Sequence, residues 1–134
     1  MTEHSYIRSV HRQLKKLAPH VYAWKINDNY QGGVADAYYS SKQDMWIEYK
    51  YLKALPKKPT TPIRIDLSQL QQDWLSARHH EGRSVCVIVG SPSGSLVLPG
   101  LGWRSSITTA EFIKSCVDIR GVVAYILGII DGGD

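Results

Sequence analysis

GGVADAYYSSKQDMWIEYK, residues 32–50, is the stretch on which the rest of the chain turns. It reads as two short strands joined by a polar loop. Residues 34–39 are rich in aromatic and branched side chains, and a second such run spans 45–52. Ser40, Ser41, Lys42, Gln43 and Asp44 between them are turn formers. Alternate side chains of a strand share a face. Glu48 and Lys50 therefore lie with Trp46 and Leu52, while Ile47, Tyr49 and Tyr51 lie on the other side. Folding the hairpin about Lys42 sets Asp36 opposite Glu48. Two opposed carboxylates repel each other, and a divalent cation between them removes the repulsion, since Mg²⁺ is held by one or two carboxylates together with waters and phosphate oxygens. Lys50, two residues along the same face, is placed to meet an attacking water or a phosphate oxygen. The alternative reading is an edge hairpin whose charges are simply solvated. The apolar, aromatic surroundings of Glu48 argue against it, because a half-buried charge needs a partner or a metal.

After this strand, residues 53–62 contain Pro56, Pro59 and Pro62, which exclude regular structure, and Lys53, Lys57 and Lys58, which make the segment basic. It is expected to be a flexible loop that grips a nucleic-acid backbone, with Arg64 and the hairpin-tip Lys42 extending the patch. A merely solubilising loop is the rival. Asp66 or Ser68 caps the next helix, which runs to Gly82. Leu67, Leu70, Gln71, Trp74, Leu75 and Arg78 form one stripe of that helix. Gln71 is the odd member: a buried amide left unpaired costs about 1–3 kcal/mol, so it requires partners. His79 and His80 at the helix end suit the helix dipole better than a metal.

The N-terminal segment 5–18 is expected to be a helix, with Ile7, Val10, Leu14 and Leu17 at helical spacing and basic residues around the rest. Pro19 ends it. Residues 21–26 form a first strand, and 27–33 a loop in which Asn29 and Gln31 are candidate substrate contacts. VCVIV, residues 85–89, reads as a strand buried on both faces, and 95–98 as its return. Thr108 and Glu111 form a capping box, and Asp118 caps a last helix whose Val122, Val123, Ile126, Leu127 and Ile130 make a broad apolar face. That face is expected either to complete the core or to form a dimer interface.

These motifs resemble the PD-(D/E)xK nuclease superfamily, whose core pattern is an acid on one strand and Glu-x-Lys on the next. Gly32-Gly33-Val34 before Asp36, and Leu67-Ser68-x-x-Gln71-x-x-Trp74-Leu75 after Glu48-Tyr49-Lys50, are similar to the VRR-NUC branch and the archaeal Holliday junction resolvases. The likeness covers residues 1–90. It departs at Ala35, where the superfamily name has proline. The resemblance implies an α/β fold with a restriction-endonuclease-like α-β-β-β-α-β core, a mixed sheet flanked by helices, and a C-terminal helical extension from residue 99. It implies Mg²⁺ or Mn²⁺ held by Asp36, Glu48 and the main-chain carbonyl of Tyr49, with Glu3 completing the shell. Lys50 orients the water, Gln71 fixes Lys50, and Ser68 assists near the substrate. The expected activity is endonucleolytic hydrolysis of DNA, selective for branched or junction DNA, by a homodimer. A nonspecific nuclease, a non-catalytic DNA-binding module on the same scaffold, and an oligomerising interaction protein are the alternatives.

The totals agree with this and do not decide it. A chain of 134 residues suits one domain, and a 43% hydrophobic fraction excludes global disorder. A net charge of +4 and a pI near 9.1 admit a polyanionic partner. Cys86 and Cys116 lack metal-ligand spacing and read as free thiols of a reducing compartment. The first ten residues lack the apolar run of a signal peptide, and the apolar run 121–130 is too short to span a bilayer. The expectation is a soluble, cytoplasmic protein.

Overall fold

The computed structural model describes residues 1–27 and 32–132. Asn29 and Gln31 lie outside the described residues. The chain begins with helix α1 (Glu3–Leu17), capped by Thr2 in a reciprocal box with Ser5. Strands β1 (Tyr22–Lys25), β2 (Ala37–Ser40) and β3 (Asp44–Tyr51) follow, then helix α2 (Gln69–His80), strands β4 (Val85–Ser91) and β5 (Gly94–Pro99), and helices α3 (Thr109–Ser115) and α4 (Ile119–Ile130).

The five strands lie side by side in chain order. β1–β2, β2–β3 and β4–β5 pair antiparallel, while β3 and β4 pair parallel. A parallel pair needs a crossover, and α2 supplies it. The expected α/β fold with a mixed sheet and helices on both faces is the one observed. The hairpin register is also the expected one: Ala37 faces Ile47 and Tyr38 faces Trp46, which brings Asp36 level with Glu48.

Each face of the sheet carries its own core. On one, Ala37, Tyr39, Met45, Ile47, Tyr49, Cys86 and Ile88 pack beneath α1 and α4. On the other, Val85, Val87, Val89 and Leu96 pack with Leu75 of α2 and Phe112 of α3. β4 is therefore buried along its whole length, which accounts for its unbroken apolar run.

Three expectations are corrected. First, β2 begins at Ala37 rather than at Val34, because the Asp36 side chain takes the Tyr49 N–H that would otherwise continue the backbone ladder. Second, Leu17 and Leu70 are exposed. In α1 the 3.6-residue period gives the buried position to Ala18, and Leu70 sits at the edge of the α2 stripe against the Gly32 turn. Third, the proline-rich loop is not free. Main-chain bonds from Ile63 to Ile107, Thr109 to Thr61 and Ala110 to Pro59 fasten it to the start of α3. Of the two roles expected for the apolar face of α4, completing the core is the one observed, with Val122, Val123, Ile126 and Ile130 fully buried. Among the described residues no helix is long and apolar enough to cross a membrane.

Candidate active site

The candidate site forms where three elements meet: the chain entering β2, the second half of β3, and the first turn of α2. Glu48 is 2% exposed. It lies beside Val87 of β4, in an apolar row that would otherwise hold aliphatic side chains. What keeps it there is α2. Ser68 caps that helix and Gln71 is the third residue of its capping box. The Ser68 N–H donates to Gln71 Oε1 at 2.9 Å, and the amide is thereby held facing β3. Gln71 Nε2 donates to Glu48 Oε2 at 2.8 Å, while Lys50 Nζ donates to Gln71 Oε1 at 3.3 Å. The glutamine thus joins the acid to the amine, whose own separation from Glu48 Oε2 is 3.7 Å.

Asp36 completes the pair. Its Oδ2 accepts the Tyr49 N–H at 2.8 Å, and its carboxyl lies within hydrogen-bonding reach of the Glu48 carboxyl. Burial raises the Asp36 pKa, against the Tyr49 N–H and the Lys50 charge, which lower it. Glu48 is pushed up to about 8, first by burial and then by the Asp36 charge, and Lys50 offsets only part of this. Glu48 Oε1 is buried and has no hydrogen-bond donor among the described residues. A buried carboxyl with one oxygen unpartnered and a second carboxyl beside it calls for a proton or a cation.

The turn before Asp36 is shaped for this approach. Gly33 has φ +91°, and a Cβ there would lie 2.4 Å from the Leu70 carbonyl oxygen and 3.0 Å from the Gln71 nitrogen. Only glycine lets the chain run this close to the first turn of α2 on its way to Asp36.

Asp36, Glu48, Lys50 and Gln71 therefore come together. Tyr49 joins them through its main chain. The Trp46 and Leu52 N–H groups bond toward β4, so by strand alternation the Tyr49 carbonyl faces the other edge, with its N–H and Asp36. Glu3, at the exposed start of α1, is near enough for Asp36 to raise its pKa, second to burial, and for Lys50 and Lys25 to lower it. It stands off the pair, because among the described residues no three acidic, His or Cys side chains converge on one point. Lys53, Lys57, Lys58 and Arg64 are exposed on the segment that leaves β3, and Arg64 pairs with Asp66. Ser68 acts as the α2 cap, and so holds Gln71. Lys42 does not reach the site. Six residues of strand separate the hairpin tip from the level of Asp36, about 20 Å, and the Lys42 charge acts instead on Asp131.

Two features escaped the sequence reading. Ser68-x-x-Gln71 is a capping-box pattern, which predicts the orientation of the amide. Lys25 acts on Glu3 and Asp36 through its charge, and its signal is the pairing of β1 with β2, where it faces Ala37.

No family model and no curated protein sequence matches the chain. The fold does have a counterpart among solved structures. Hjc, a Holliday junction resolvase from the archaeal hyperthermophile Archaeoglobus fulgidus, superposes with a TM-score of 0.54 over 89% of this chain and 98% of that one, at 14% sequence identity. The chain thus shares the fold of an archaeal junction resolvase, with an acid pair, an amine and a bridging glutamine at the mouth of its β2–β3 hairpin.

Proposed function

We propose that the protein is a metal-dependent nuclease that hydrolyses phosphodiester bonds of DNA, with a preference for branched or junction DNA. The observation that carries this reading is the buried Glu48 carboxyl, with one oxygen bound by Gln71 and the other without a donor beside Asp36. An all-oxygen set of two carboxylates, with the Tyr49 carbonyl beside them, fits Mg²⁺ or Mn²⁺. When bound, such an ion supplies positive charge to the phosphate oxygens and acidifies a water. Asp36 and Glu48 would hold it, and Glu3 is close enough to act on it through water.

The residues around that position have separate work. Lys50 brings an ammonium to the same face without entering the acid pair, where it offsets the negative charge that grows on the phosphate and orients the attacking water. Gln71 keeps Lys50 and Glu48 in fixed relation, so neither has to reorganise as the reaction proceeds. Lys53, Lys57, Lys58 and Arg64 supply contacts to the backbone that carry no base information. The likeness to a junction resolvase favours branched DNA as substrate. Resolution of a junction needs two cuts, which two copies of the chain would supply.

The test is incubation with a four-way junction, a linear duplex and a supercoiled plasmid, each in Mg²⁺ and in EDTA. The expected result is Mg²⁺-dependent cutting, fastest on the junction. Equal rates on all three would leave a nonspecific nuclease. DNA binding without cutting in Mg²⁺ or Mn²⁺ would leave a binding module.

A further inference from the structure

The sheet face that carries Glu48 continues toward β1 as a row of aromatic side chains. Trp24, Tyr38 and Trp46 are directly opposed across β1, β2 and β3. Trp46 precedes Glu48 by two residues, so this row lies one step of the strand, about 7 Å, from the acid row. α2 repeats the arrangement: Trp74 is one turn beyond Gln71, and its ring meets Trp46 edge-on at 5.2 Å. The two elements that carry the acid and its amide therefore each carry a tryptophan one step further on. Tyr38 lies against the other side of Trp46, at 4.6 Å. Trp24 is 46% exposed. It borders an open groove of about 520 Å³ together with Lys25, Ile26, Val34, Trp46 and Trp74. The Arg78 guanidinium sits 5.2 Å over the Trp74 ring.

We infer that this row is a stacking platform for unpaired bases of the DNA strand next to the scissile phosphate. What selects that occupant is the groove's floor, which is aromatic, opens to solvent at Trp24 and runs on along β3 to the acid row, so it offers π faces for bases next to the position of the scissile phosphate. A duplex cannot use it, because its bases are already stacked. A branch point or single-stranded tail can place one or two bases there while its backbone crosses the acid pair. This rests on the nuclease reading above and gives branch preference a physical source: the platform recognises the absence of a complementary strand.

Trp24 is exposed, and its replacement leaves both cores intact. In EDTA, where no cutting occurs, the dissociation constants of a 15-nucleotide oligothymidylate and of a blunt duplex are measured for wild type, Trp24→Ala and Trp24→Phe. One lost stacked base weakens single-strand binding by about tenfold or more. The expected result is that loss in Trp24→Ala for the oligothymidylate alone, with recovery in Trp24→Phe and quenching of tryptophan emission when wild type binds. Unchanged oligothymidylate affinity in Trp24→Ala, or an equal loss for the duplex, overturns the platform. So does a change of oligomeric state in Trp24→Ala without a change in DNA affinity, since the row would then serve a second copy of the chain. Because nothing is cut, the outcome is independent of catalysis: an inactive protein with Trp24-dependent single-strand binding keeps the platform and loses the nuclease, and an active one without it does the reverse.

Discussion

Glu48→Gln should remove most of the pH dependence of stability in the metal-free protein. The Glu48 carboxyl is pushed from its ordinary 4.5 up to about 8 in the fold. Between those values the folded state holds a proton that the unfolded chain has released, so stability falls as pH rises through that window and is flat outside it. The slope is about 1.4 kcal/mol per pH unit, or about 3 kcal/mol between pH 5 and pH 7, a large share of the ~5–15 kcal/mol that holds a domain together. Glutamine cannot titrate. The assay is urea unfolding in EDTA at several pH values, for wild type and Glu48→Gln. Titrating groups away from the acid pair, such as the half-buried His11, cancel in the difference. Wild type should lose about 3 kcal/mol relative to the variant across that range, and should recover it in Mg²⁺. Parallel stability curves for the two proteins would refute the reasoning, since the acid pair would then not share a buried, proton-demanding position.

Other outcomes follow from the same geometry. Asp36→Asn and Lys50→Ala should each abolish Mg²⁺-dependent cutting of a four-way junction while leaving junction binding in EDTA within about twofold, the scale of a surface contact; gel-shift and cleavage assays on one substrate check both. Gln71→Ala should lower the cleavage rate by about 10–100-fold through misplacement of Lys50 and Glu48, a loss read from single-turnover kinetics, with the fold preserved by circular dichroism. Gly33→Ala should destabilise the protein by about 2 kcal/mol or more, because its φ of +91° and the 2.4 Å approach to Leu70 leave no room for a Cβ; thermal unfolding measures it.

Much of this arrangement could be read from residue order because it depends on local periods. The two-residue repeat placed Glu48 and Lys50 on one face, and the symmetry of the hairpin about Lys42 set Asp36 level with Glu48, as the pairing of Ala37 with Ile47 requires. The same symmetry puts Lys42 at the tip, the point of the hairpin farthest from the acid pair at its mouth. Features that depend on distant partners were not legible. The proline-rich loop looked free because its hydrogen-bond partners, Ile107 and the start of α3, lie more than forty residues away in the chain. The α4 face looked surplus because its counterpart is assembled from α1 and three strands. The aromatic row spans β1, β2, β3 and α2, and emerges only when their registers are laid side by side.

The claim on which the rest depends is that the Asp36–Glu48 pair exchanges its proton for a divalent cation. Calorimetric titration of the protein with Mn²⁺ at pH 7, in two buffers of different ionisation enthalpy, tests it directly. The expected result is saturable binding with release of about one proton per ion, and loss of both in Glu48→Gln. No saturable binding, or binding in Glu48→Gln with unchanged affinity and proton release, would contradict it.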